Sequence, residues 1–154
     1  MSEIVRSGGI FLLVCTLALP TFGAADPFAG TWKLNVAKSK LQPPAPESDT
    51  VRIEVDGKDL KIEQEGIDDK GAPFKLTVLG GFDDSVYGIA GSAQADSVSF
   101  RRPSSRHILA EVRKSGAAIA WLDAEVSGNS LRVSVSVVDA EGKETKSLAI
   151  LQRE

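Results

Sequence analysis

Several of the residues that chemistry is usually built from are scarce in this chain. Its 154 residues include one cysteine and one histidine. A lone histidine with no Cys/His cluster excludes the usual zinc-binding patterns and sets the metal expectation at none. Charge of one sign is also lacking: 18 Lys+Arg stand against 21 Asp+Glu, a net −3. A nucleic-acid partner, which would need a basic face, is therefore not expected. No Gly-x-Ser-x-Gly elbow is present, and no carboxylate is placed to orient His107 beside Ser104 and Ser105, so no catalytic triad is nominated. The glycines at 80, 81, 88 and 91 precede no helix and form no phosphate fingerprint. Long apolar runs are missing too. The one apolar stretch, residues 8–19 (GGIFLLVCTLAL), falls short of the roughly 20 residues a membrane helix needs.

That stretch has the form of a secretory leader. Arg6 precedes it, Pro20 breaks it, and TFGAA ends in small residues, which puts cleavage after Ala25. The expectation is a signal peptide over residues 1–25 and export to a periplasmic or extracellular space. A retained N-terminal anchor is the alternative. Cys15 sits inside the apolar run after Val14, a poor context for lipidation. If the leader is removed, Cys15 goes with it and no disulfide framework is left. Residues 26–154 must then fold as one domain on their core alone, for which they are long enough.

What the chain does have is alternation. Residues 30–36 place Trp32, Leu34 and Val36 against Thr31, Lys33 and Asn35. Residues 50–56 and 60–65 repeat the pattern around a Gly57-Lys58 turn. Further segments follow at Phe74–Val78, near 86–89, at 97–102, 106–113, 117–126 and 131–137, and finally at 145–153, with Leu148 and Ile150 expected inward. Period two marks half-buried strands, and no segment holds a helical period. The 14 glycines and 7 prolines punctuate these segments at short intervals. QPPAP (42–46) cannot join a ladder, which leaves residues 37–49 as an ordered loop. Eight to ten strands joined mostly by tight turns form a meander. Its edges and its apolar face are best hidden by closure, so an all-β, antiparallel up-and-down barrel is expected. One internal echo stands out: GKDLKIEQEGIDDKG (57–71) aligns without gaps with GNSLRVSVSVVDAEG (128–142), each reading turn, strand, Asp-x-x-Gly turn.

Gly30-Thr31-Trp32, at the start of the first strand of such a meander, resembles the lipocalins and the wider lipocalin-like (calycin-type) group. FAGTWKLNVAKSK followed by a Pro-rich loop resembles exported bacterial lipocalin-like domains of uncharacterised function. The resemblance implies that Trp32 packs across a closed end, next to Gly30, with a basic residue of the last strand lying over its ring; Arg153 is the match. It also implies an open end suited to an apolar ligand, under the loop at 37–49. The Thr-Asp-Tyr motif of many lipocalins is missing.

Candidate ligand-binding residues are Trp32, Phe74, Phe100 and Trp121, each with a plain core role as the alternative. Phe82 and Tyr87 either edge a pocket or pin a loop. His107, sharing a face with Glu111 and Arg113, is expected to point to water. Arg101, Arg102 and Arg106 form a small basic cluster that could meet a carboxylate. The function expected is a binding module for a small apolar molecule, with no cofactor and no catalytic residue, rather than an enzyme. The alternative is a structural or interaction protein of the cell envelope with a filled barrel. The sequence carries no signal for oligomeric state.

Overall fold

The structure, a computed structural model, describes residues 25–154. The expected leader therefore lies, apart from Ala25, outside the described residues. Ten antiparallel strands close into a barrel in which each strand pairs with its sequence neighbours and the last pairs with the first. The strands are β1 (Gly30–Leu34), β2 (Ser48–Asp56), β3 (Asp59–Ile67), β4 (Pro73–Gly81), β5 (Tyr87–Ala90), β6 (Ser97–Ser104), β7 (His107–Lys114), β8 (Ala117–Ser127), β9 (Ser130–Val138) and β10 (Glu144–Arg153). This is the up-and-down barrel that the alternation predicts. No helix among the described residues is long and apolar enough to cross a membrane.

The wall is not uniform. β2 and β3 share nine register pairs, as do β3 and β4. β5 has four residues and holds two pairs with β4 and two with β6.

The echoed segments turn out to be equivalent hairpin ends. After β3, Asp68 Oδ1 accepts from the N–H groups of Lys70 and Ala72 at 2.9 and 2.8 Å. After β9, Asp139 Oδ1 accepts from Glu141 and Lys143, both at 2.9 Å. Gly71 and Gly142 hold φ of +78° and +82°, a left-handed conformation that side chains resist. The repeat is one turn chemistry used twice: the aspartate binds the loop's amides while the glycine reverses the chain.

Two inward assignments need correction. β1 ends at Leu34, and Val36 begins a short 3-10 turn, Val36–Lys38, with its side chain 54% exposed. On β10 the inward residues are Ala149, Leu151 and Arg153, not Leu148 and Ile150. Leu151 pairs with buried Leu131, and Arg153 with buried Trp32. Leu148-Ala149-Ile150-Leu151 is apolar throughout, so period two alone cannot choose a face. Pairing settles it: Leu151 sits opposite buried Leu131, while the first loop, through the Lys40 bridge to Leu148 and the 2.9 Å bond from the Ile150 N–H to Ser39 Oγ, continues along the backbone edge of β10.

The buried side chains crowd toward one end. Phe28, Trp32, Ile53, Leu60, Val78, Phe100, Ile108, Val126, Leu131 and Leu151 belong to one cluster. Trp32 is 0% exposed and is one of the two largest fully buried side chains, with Phe28. Replacing it by alanine removes the largest piece of that cluster, at a cost of about 3 to 5 kcal/mol. Trp32→Ala is expected to lower the urea midpoint steeply or leave the chain unfolded, while Trp121→Ala shifts it by less than about 1 kcal/mol. Equal loss in the two variants would contradict the assignment of Trp32 as the stopper.

Candidate functional site

The closed end is built from both ends of the described chain. Gly30-Thr31-Trp32 enters β1, and Arg153 closes β10 directly opposite Trp32. The guanidinium lies over the indole, 4.2 Å from its centroid. Its Nη1 and Nη2 donate to the carbonyls of Ala29 and Pro27 at 2.6 and 2.9 Å. The indole Nε1 donates to Phe28 O at 2.9 Å, so the buried N–H is satisfied. Gly30 has φ +135°, and a Cβ there would stand 2.5 Å from Arg153 Nη1. The glycine two residues before the tryptophan is thus required by the cation that covers the ring.

A second arginine completes the seal. Arg102 sits over Phe28 at 5.6 Å and over Phe82 at 5.1 Å, and its Nη1 is 2.7 Å from Asp26. Burial pushes the Asp26 carboxyl up, but the hydrogen bond from Arg102, the Phe28 N–H and the Arg102 charge together hold it below its usual value. Of the basic cluster seen in the sequence, Arg102 is thereby used inside the fold. Phe82 lies under it, and Tyr87 donates to Asp83 at 2.8 Å. Both aromatics pin the segment between β4 and β6.

The opposite end differs. Alternation with buried Val78 and Leu151 places Leu34, Val51, Leu76, Phe74, Val112, Val135 and Val137 on the inner face there. All are partly buried except Val137, which is exposed at the rim. Among them sits a charge that the sequence reading passed over. Asp49 follows the inward phase of Val51 and Ile53, one step before the strand expected from residue 50. Gln64 Nε2 donates to its Oδ2 at 2.7 Å, while Oδ1 is buried with no hydrogen-bond partner. Burial raises the Asp49 carboxyl to about 6, against a smaller lowering by Gln64. Extending the alternation of β2 back two residues would have found it.

The four candidate ligand residues do not meet. Trp32 and Phe100 are in the closed-end core, and Phe74 stands at the open rim. Trp121, 41% exposed, points outward. It lies in one outer row with Ser99, Glu111, Ser136 and Lys146 across β6–β10. A groove of about 720 Å³ runs over this face, lined by Trp121, Leu109, Leu148, Arg101, Arg132 and Lys40 among others. His107 is also on the outer face, as expected, with Nε2 2.7 Å from Asp123 Oδ1.

Comparison with known proteins adds a likeness of fold. No family model matches the sequence, and no curated protein matches it. Crystal structures of apocrustacyanin C1 and apocrustacyanin C2 each superpose with a TM-score of 0.48 at 16% identity, covering 84% of this chain and 62% of theirs. Lobster apocrustacyanin A1 gives a TM-score of 0.47 at 14% identity, covering 83% and 61%. The chain spans about three-fifths of their length.

Asp49 yields a pH prediction. Its folded pKa is about 6 against 3.8 for the ordinary group. A raised carboxyl contributes stability that is whole below pH 3.8 and is lost as pH rises to about 6, because the unfolded chain releases its proton first. The loss is on the order of 2 to 3 kcal/mol. Asp49→Asn removes the ionisation, so it should flatten urea stability between pH 4 and 6.5 and make the variant the more stable form at pH 7.5. Wild-type and Asp49→Asn profiles that run parallel across this window would show that Asp49 ionises freely.

Proposed function

We propose that this chain is an exported, non-enzymatic binding module that receives a small, mainly apolar molecule at the open end of its barrel. One observation carries the reading: the two ends are built differently. One end is sealed by Trp32, Phe28, Arg153 and Arg102, with its carbonyls and indole N–H satisfied. The other has a partly buried apolar inner wall and one carboxyl oxygen without a partner, Asp49 Oδ1. An apolar wall with one or two fixed polar groups is what small-molecule sites have in common. A protonated Asp49 would donate to a ligand oxygen, and an ionised one would accept from a ligand hydroxyl or amine. Export rests on the apolar leader, Pro20 and the small residues before Asp26.

A second reading has its own support. The groove of about 720 Å³ and another of about 620 Å³ are lined mainly by outward or rim residues. A barrel filled with its own side chains would act through those surfaces and hold nothing inside.

Titration with an anilinonaphthalene sulfonate probe and with a long-chain fatty acid separates the two. Interior binding predicts saturable, one-to-one binding of the probe and its displacement by the acid. Val137→Trp, which narrows the rim, should weaken binding by at least about tenfold, the scale of blocking an apolar pocket. Trp121→Ala should leave it unchanged. Loss of binding in Trp121→Ala with none in Val137→Trp would move the site to the outer face and overturn the interior reading. No binding by either ligand would favour the filled barrel.

A further inference from the structure

Outside the barrel, strand pairing gathers the single histidine and two carboxylates at one spot. His107 on β7 is the register partner of Glu125 on β8. Asp123 lies two residues before Glu125, hence on the same outer face, because alternate residues of a strand share a side. A ring nitrogen of His107 and one oxygen from each acid all fall within 4.8 Å of one another. His107 is partly buried and both acids are exposed. Among the described residues Glu125 makes no ion pair, although Arg132 is its partner on β9.

We propose that His107, Asp123 and Glu125 form a surface site for a divalent cation of the zinc class. The donor set is one imidazole nitrogen and two carboxylate oxygens, which zinc accepts at about 2.0 to 2.2 Å in a four-coordinate shell. Two ligands at i and i+2 on one strand with the third on its neighbour form a triangle set by the sheet backbone, so little chain order is lost on binding. The 2.7 Å contact between His107 Nε2 and Asp123 Oδ1 already brings two corners together. The cation takes the place of the proton at Nε2: a neutral imidazole keeps its single proton on Nδ1, an imidazolium releases its Nε2 proton to solvent, and Glu125 supplies the third corner. The charges match: two carboxylates and a neutral imidazole give −2 against +2. A fourth position stays open to water. Calcium and magnesium are poorly served, since they need six or more oxygen ligands or an octahedral set. Arg132 competes for Glu125 and keeps the affinity moderate. Asp123 also lines the groove that holds Trp121, so a bound cation stands at its edge.

The test is calorimetric titration of the metal-stripped protein, carrying no histidine tag, with Zn²⁺, Ca²⁺ and Mg²⁺. One equivalent of Zn²⁺ should bind saturably, with no heat from the other two, and the His107 imidazole resonances should shift with the same stoichiometry. His107→Ala and the milder Glu125→Gln should each weaken binding by at least about tenfold, and Glu63→Gln, on the far wall, should not. Circular dichroism checks that each variant folds. Absence of saturable Zn²⁺ binding, or binding unchanged in both variants, would overturn the site.

Discussion

The guanidinium of Arg153 lies over the indole of Trp32, and most of the barrel's order follows from that contact. It joins the second-last residue of the chain to the start of the first strand, so the cylinder closes where the chain's two described ends meet. The stacking itself is worth about 1 to 2 kcal/mol where water is excluded. Its larger effect is to fix geometry. The same guanidinium holds two carbonyls of the entering chain, and it leaves no room for a side chain at Gly30. Glycine, tryptophan and arginine are one device spread across the length of the sequence.

Once that end is sealed, the barrel has two chemically distinct halves. The sealed half is apolar, and its polar atoms are matched: the indole N–H to Phe28, the arginines to carbonyls and to Asp26. The other half contains Asp49, whose second oxygen has no hydrogen-bond partner among the described residues. A buried polar atom without a partner costs of the order of 1 to 3 kcal/mol, and folds tolerate few of them. That cost is the physical reason to look for a ligand at this end.

Period-two alternation was enough to read the strands and the closure and to bracket their number at eight to ten, because most strands have one apolar and one polar side. It failed where both sides are apolar. Leu148-Ala149-Ile150-Leu151 gives no phase of its own, and the face was set by pairing, which puts Leu151 opposite buried Leu131. Trp121, which either expected role would have turned inward, gives no clear phase for a related reason: Ile119 and Asp123 flank it at equal spacing, and β7 and β8 shift register next to it, between Val112 and Arg113. Gly30, Trp32 and Arg153 were legible because a resemblance tied them together. Arg102 and Asp26 were not, since 76 residues separate the pair. Nothing in local spacing links two residues brought together by barrel curvature. Asp49 was legible in principle, as a charge in the inward phase of β2, and was hidden by placing the start of that strand two residues late.

The wall also has a weak stave. Neighbouring strands elsewhere share up to nine residue pairs, but β5 is held by two on either side. Local opening costs least where the ladder is shortest. If β5 came away, the cylinder would become a ribbon of nine strands with the long flanks of β4 and β6 bare, and bare flanks recruit other chains. The four residues from Tyr87 to Ala90 therefore do more than complete a circumference: they cover two flanks that would otherwise stand bare.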